Sequence, residues 1–191
     1  MGYKSNLQLP DLPGRPAIAA VTLAATAKAL YAAGDFPVIG DNWFDRVGRK
    51  MKLHLFGKMT TAATPGNGTM RVYWGSGADA SGTILAATAA LALAATQTDL
   101  SWSADIDIFC VTVGATGSLF CSGVLHFNTS LISSTLQPIL LPASAPVAVG
   151  SLDLTAAGFI PSVQYLRSGS TAETMEVVDL DVITQSSGRQ V

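Results

Sequence analysis

The sequence predicts an all-β protein: a single antiparallel β-sandwich, jelly-roll-like, preceded by an extended N-terminal arm. Three observations predict it. Apolar and polar residues alternate with period two through several stretches, the pattern of half-buried strands. Clusters of Gly, Pro, Ser and Thr separate those stretches at short spacing, which argues about eight or nine strands in a sandwich or barrel. The 191 residues are 49% hydrophobic and 13% charged, enough apolar material for one core. Ordinary globular chains carry about 25% charged residues. Here 28 Ala, 18 Gly, 18 Thr and 17 Ser, 81 positions together, supply the small, neutral surface instead.

In chain order, residues 1–48 read as an N-terminal arm and lead-in segment, and 49–191 as the sandwich domain. Pro10, Pro13 and Pro16 forbid helix and hold residues 1 to about 20 extended. Such arms seldom fold alone, so this one is expected to lie on a neighbouring subunit or shell and to touch its own domain little. Sustained alternation is confined, within this region, to Val21–Tyr31.

From Arg49 the period becomes two. Met51, Leu53, Leu55 and Met59 point one way, and Lys50, Lys52, His54 and Lys58 the other. Thr64-Pro-Gly-Asn-Gly turns the chain, after which Met70, Val72 and Trp74 alternate with Thr69, Arg71 and Tyr73. Ala-rich Ile84–Ala95 is ambiguous by propensity but carries no charge to make a solvent face, and is read as strand. Trp102, Ala104, Ile106, Ile108 and Cys110 alternate with Ser101, Ser103, Asp105 and Asp107. Gly114-Ala-Thr-Gly117 then turns into a second strand carrying Leu119, Cys121, Leu125 and Phe127. Pro146–Leu154, Phe159–Arg167 and Thr174–Gln185 complete the set.

The same residues limit the chemistry. A net charge of −2 and an isoelectric point near 5.5 disfavour a nucleic-acid partner. The longest low-polarity stretches, Ala17–Ala33 (interrupted by Lys28) and Ile84–Ala95, fall short of the roughly 20 apolar residues of a membrane helix. Residues 1–14 lack the apolar core of a secretion signal, so synthesis in a reducing compartment is expected. No Gly-x-Ser-x-Gly elbow, Walker A loop or Gly-x-Gly-x-x-Gly occurs, and no cofactor, metal or catalytic residue is predicted. His54 and His126 fall on different strands without evident partners. Asp105 with Asp107, and Asp179 with Asp181, each put two carboxylates on one strand face. Such a pair suits a wet face, and less readily Ca²⁺ or acid catalysis. Cys110 and Cys121 flank the hairpin symmetrically, so an unbulged register sets them face to face. The reading is two buried thiols, with a strained disulfide as the alternative.

The stretch Asp41-Asn-Trp-Phe-Asp-Arg-Val-Gly-Arg-Lys-Met-Lys-Leu-His-Leu-Phe-Gly-Lys-Met-Thr-Thr, with Thr64-Pro-Gly, Val72-Tyr-Trp-Gly and Arg167–Leu180, resembles a strand-and-turn pattern of tailed-bacteriophage structural proteins. The resemblance covers roughly residues 37–185. It departs at Pro37-Val-Ile-Gly-Asp-Asn42, where such proteins carry a shorter Pro-Ala-Asn. The resemblance implies a non-enzymatic virion component that assembles symmetrically. Its first form is a capsid decoration (cement) protein, a homotrimer bound to the major capsid protein of the head shell. The alternative is a tail- or fibre-associated protein that binds host glycans through exposed aromatics such as Tyr73 and Trp74. A β-sandwich glycosidase using an Asp pair is a third, enzymatic, reading. Trp43, Phe44, Arg46, Arg49 and Lys50, where arm meets sandwich, are the expected partner contacts, because aromatics and Arg dominate interface energetics. The competing expectation is that Trp43 and Phe44 staple the domain's own lead-in loop. Charge is also split along the chain: residues 1–98 hold nine basic and five acidic side chains (+4), and residues 99–191 two and eight (−6). That split suits a subunit whose basic and acidic surfaces meet in assembly.

Overall fold

A computed structural model describes residues 18–37, 42–133, 138–169 and 173–185. Twelve strands follow one another: β1 (Val21–Thr22), β2 (Lys28–Ala29), β3 (Lys50–Thr60), β4 (Asn67–Gly75), β5 (Thr83–Ala87), β6 (Leu91–Ala92), β7 (Leu100–Thr112), β8 (Gly117–Phe127), β9 (Ile139–Leu141), β10 (Ala148–Leu152), β11 (Ile160–Ser168) and β12 (Thr174–Gln185). A single 3-10 turn at Ala33–Asp35 is the only helical element among the described residues. The all-β expectation holds.

The strands form two antiparallel sheets. The seven-stranded sheet runs β1-β12-β3-β7-β8-β10, with β9 also on β8. The five-stranded sheet runs β2-β11-β4-β5, with β6 also on β4. Hairpins β4–β5 and β7–β8 stay within one sheet, whereas β3→β4, β10→β11 and β11→β12 cross between sheets. The alternation read from the sequence is what divides core from surface. Met51, Leu53, Leu55 and Met59 are buried, while Lys50, Lys52, His54 and Lys58 are half-buried on the other face. Trp102, Ala104, Ile106 and Ile108 meet them from β7, and Leu119, Cys121, Leu125 and Phe127 from β8. The opposing sheet contributes Met70, Val72, Val163 and Tyr165. The Ala-rich stretch is two short strands, β5 and β6, broken at exposed Ala89 and Ala90.

Two expectations change at this level. The boundary at 48/49 does not mark a change in packing. Leu23, Leu30, Tyr31, Phe36 and Phe44 are core residues, β1 extends β12, and β2 pairs with β11 at Gln164 and Tyr165. The lead-in belongs to the sandwich because two-residue strands suffice to seat large apolar side chains between the sheet edges. Tyr31 fixes the arrangement: its hydroxyl donates to Pro161 O at 2.7 Å and accepts from Val163 N at 3.2 Å. Residues 1–17 of the expected arm lie outside the described residues. The second change concerns the thiols. The β7–β8 ladder runs two residues off the symmetric register, one of them from a shift between Cys110 and Thr112, and pairs Cys110 with Leu119 and Cys121 with Ile108, so the two cysteines are not opposite each other. Both are free and buried.

Ile106 occupies the centre of the sheet, between Leu53 on β3 and Gly123 on β8, with no exposed surface. A Cβ at Gly123 would approach Asp105 O to 2.4 Å, so the strands are already in close approach there. Ile106→Ala is expected to cost about 2–5 kcal/mol, as a cavity that cannot collapse. Urea unfolding checks this; a change below about 0.5 kcal/mol, the range of surface substitutions, would put Ile106 outside the core.

Candidate interaction face

The outward side of the seven-stranded sheet brings most of the predicted polar residues together. Period-two alternation places Lys50, Lys52, His54, Phe56 and Lys58 of β3 beside Asp105, Asp107 and Phe109 of β7. The ladder pairs Lys52 with Asp107 and Lys50 with Phe109, yet the ion pairs run diagonally: Lys50–Asp107 at 2.9 Å and Lys52–Asp105 at 3.0 Å. Sheet twist brings such diagonal neighbours within reach of long side chains. His54 Nδ1 lies 3.2 Å from Asp105 Oδ1. Lys50 Nζ also rests 4.9 Å from the centre of the Phe109 ring, which meets Phe120 of β8 edge-on at 6.2 Å. At the far end Lys58 reaches Glu176 of β12 at 3.4 Å and Asp99 at 3.9 Å.

This ladder sets the protonation of its members. Partial burial pushes the Asp105 carboxyl up, but the Lys52 ammonium and the His54 ring outweigh it and hold the group below the ordinary carboxylate range. The hydrogen bond to Asp105, reinforced by its charge, raises Lys52 above the usual lysine value. A carboxyl with a depressed folded pKa stabilises the fold above its unfolded value, near about 3.9, and loses that contribution as pH falls through the folded one. The raised lysine contributes below about 10.4 and loses it as pH rises through its folded value. The urea midpoint is therefore expected to fall on acidification below about pH 4, and Asp105→Asn to flatten that acid limb. An unchanged acid slope in the variant would refute the assignment.

The two acidic pairs differ. Asp105 and Asp107 each pair with a lysine, and the lowered Asp105 carboxyl is the opposite of the raised-pKa acid that glycoside hydrolysis uses. Asp179 and Asp181 face Phe56 and His54 across β12–β3 and are exposed. Among the described residues no group of three or more His, Cys, Asp or Glu is placed to hold a metal ion. His126 lies on β8 opposite Ser103, apart from His54 opposite Asp105. Burial first, then the Asp107 charge, pushes the Cys121 thiol up to about 12, and burial first raises Cys110 as well. Both stay protonated and unreactive.

The predicted contact residues divide. Phe44 has no exposed surface and meets Trp74 edge-on at 5.6 Å. Trp43 packs against the core, with the Arg49 guanidinium 4.5 Å from its ring centre. Arg49 also donates to Trp43 O and pairs with Asp45 at 3.1 Å. These three staple the lead-in loop, and Lys50 is held by Asp107. Arg46 alone of the five projects into solvent, its side chain 71% exposed, beside Val47 at 63%. The glycan-binding aromatics need correction too. Tyr73 and Trp74 are each only 4% exposed, and Trp74 Nε1 donates to Asp153 O at 2.9 Å. Inward packing against Phe44 and a buried position on β4 remove both from the surface.

Phe56 and Val178, 45% and 48% exposed, escaped the sequence reading. Val178 is the extra residue of a bulge, since Val177 pairs with Gly57 and Asp179 with Phe56. Alternation counted from Met175 and Val177 sets Val178 outward, and counted back from Leu180 and Val182 sets it inward, so the period alone does not decide its face.

No family model, curated protein or solved structure matches this chain. Its class therefore rests on its own geometry: an antiparallel β-sandwich whose seven-stranded sheet presents an ion-paired outer face.

Proposed function

We propose that the chain is a non-enzymatic virion structural protein of a tailed bacteriophage, a capsid decoration (cement) protein that binds and stabilises the assembled head shell as a symmetric homotrimer. Its partners are its own copies and the major capsid protein. The observation that carries the reading is the slab β12-β3-β7-β8, four strands of 11 to 13 residues braced across their outer face by Lys–Asp and Lys–Glu pairs. A stiff, broad, ion-paired surface suits a clamp that must resist deformation. The resemblance carried by residues 41–75 points the same way, and Arg46 with Val47 offers a protruding contact at one end of that slab.

Mass-spectrometric stoichiometry of purified particles tests it. The chain is expected in proportion to the major shell protein, and particles lacking it are expected to lose genome at lower temperature. A few copies per particle with adsorption defects would favour the tail or fibre reading, and absence from particles would overturn both. Arg46→Ala should leave stability within about 0.5 kcal/mol, as a surface change, while lowering occupancy on depleted heads.

A further inference from the structure

The charge split along the chain resolves into two small exposed patches. The described lysines of the basic half are engaged inside the subunit: Lys28 by Asp79, Lys50 by Asp107, Lys52 by Asp105 and Lys58 by Glu176. Arg71 is half-buried on β4 and donates to the Tyr73 hydroxyl. That leaves Arg46, which projects into solvent 3.7 Å from an Asp45 that Arg49 already holds at 3.1 Å. In the acidic half, Asp153 accepts from Thr155. Asp179 and Asp181 are exposed on β12 and have no ion pair among the described residues.

Each patch sets its charge beside apolar surface. Val47 adjoins Arg46, and Phe56 and Val178 adjoin Asp179; all three are among the exposed large hydrophobic residues. Phe56 lies directly opposite Asp179, and Val178 is the bulge residue just before it. The two patches cannot meet within one subunit. Gln185 pairs with Lys50, and Asp179 with Phe56, six residues further along β3, about 20 Å at strand rise. Backbone bonds from Gly48 and Arg49 to Cys110 carry the chain on past Lys50 before Val47 is reached. That separation is more than an arginine side chain spans.

We propose that a second copy of this chain supplies the missing half: Arg46 and Val47 of one subunit seat on Phe56, Val178, Asp179 and Asp181 of the next. The guanidinium pairs with the carboxylates over the Phe56 ring, where an aromatic face favours a cation, and Val47 covers Val178. The contact joins unlike surfaces, a loop at one end of the sandwich and the outer face of a sheet. It is therefore head-to-tail, the kind of contact that closes into a ring when its rotation allows. Two outer faces meeting each other would instead bring Asp179 and Asp181 against their own copies. The inference rests on the homo-oligomeric part of the proposed function and names its contact; it does not rest on the phage resemblance.

Sedimentation equilibrium of the purified full-length chain tests it. Wild type is expected to form one closed oligomer that dissociates on dilution and in high salt. Arg46→Asp is expected to weaken association at least about tenfold, because it sets like charges against each other. Asp179→Arg with Asp181→Arg should do the same, and the chain carrying all three exchanges should recover most of the loss. A monomer at every concentration would overturn the proposal. So would an Arg46→Asp chain that associates like wild type, or a triple exchange that recovers nothing. Where an exchanged variant fails to fold by circular dichroism, crosslinking decides. Val47→Cys with Val178→Cys should oxidise to a covalent oligomer, the native Cys110 and Cys121 being buried, and Val47→Cys alone should stay at monomer mass. Monomer mass for the pair, or a dimer from Val47→Cys alone, rules the contact out. Particle stoichiometry tests the cement reading separately. A chain present in particles but monomeric in solution defeats this contact alone, and a charge-dependent oligomer absent from particles defeats that reading alone.

Discussion

Glu173→Ala is expected to cost about 3–5 kcal/mol, the range for breaking a buried ion pair from one side. Glu173 has no exposed surface and Arg167 only 5%, with Arg167 Nε 2.8 Å from Glu173 Oε2. The pair closes the crossover from the end of β11 to the start of β12. Its backbone reaches further: Leu23 N donates to Glu173 O at 2.8 Å and Arg167 N donates to Ala24 O at 3.1 Å. Removing the carboxylate leaves a guanidinium enclosed by core, opposite the lead-in that carries β1 and β2. Burial, and secondly the Glu173 charge, push the neighbouring Tyr165 phenol upward, so no nearby phenolate can compensate. Glu173→Gln keeps the shape and loses the charge, and should fall between alanine and wild type. The double variant Arg167→Met, Glu173→Met should cost less than Glu173→Ala, because both charges of the pair are then replaced by apolar side chains. Urea midpoints for the set check this; a Glu173→Ala change under about 1 kcal/mol would mean the site admits water.

That ion pair also shows where the sequence stops being legible. Arg167 and Glu173 sit in Arg-Ser-Gly-Ser-Thr-Ala-Glu, which reads as an ordinary polar loop. Nothing in its composition says that the loop's ends turn inward together. The long strands were legible for the opposite reason: β3, β7, β8 and β12 each bury one face and wet the other, and burial enforces the period. The predicted strand Thr174–Gln185 coincides with β12. Where a residue is inserted, the pattern misleads. The β7–β8 ladder runs two residues off the symmetric register and so separates the thiols, and the bulge at Val178 switches the inward set of β12 from odd to even positions. Strands buried on both faces mislead as well. Alternation implied an exposed Tyr73, but β4 is buried from Val72 through Gly75 because the chain covers both its faces there. Two-residue strands such as β1 and β2 carry no period at all, and the lead-in was legible only through its large apolar residues, Leu23, Leu30, Tyr31 and Phe36. The outer-face ladder was half legible. Lysines on β3 and aspartates on β7 were visible as opposite faces, but their diagonal pairing needed the register.

Trp102→Ala is expected to be the most destabilising single truncation in the hydrophobic core, about 3–5 kcal/mol. Trp102 is 1% exposed and lies directly opposite Gly57 on β3. Gly57 interrupts a strand of otherwise large inward residues, and the indole fills the space its missing side chain leaves. A Cβ at Gly57 would approach Trp102 Nε1 to 2.8 Å and Glu176 O to 2.0 Å, so three strands converge on this point. The β12 bulge follows at once, with Val177 opposite Gly57. On the other side the indole stacks on Phe127 at 6.5 Å. Truncation removes that ring contact and opens a cavity between β3 and β8. Backbone collapse cannot close it, because β3 is fixed on both sides by its ladders to β12 and β7. Trp102→Phe should recover more than half of the loss. The indole N–H has no hydrogen-bond partner among the described residues, so phenylalanine gives up no polar contact and loses only volume. Gly57→Ala offers the reciprocal experiment. In the wild-type background it should destabilise by collision with Glu176 O and the indole. With Trp102→Ala the collision with the indole disappears and the two costs should not add. Urea unfolding of the two single variants and the double variant measures that coupling. Strict additivity would mean that Gly57 is dictated by the β12 backbone alone and that Trp102 merely occupies the space left over.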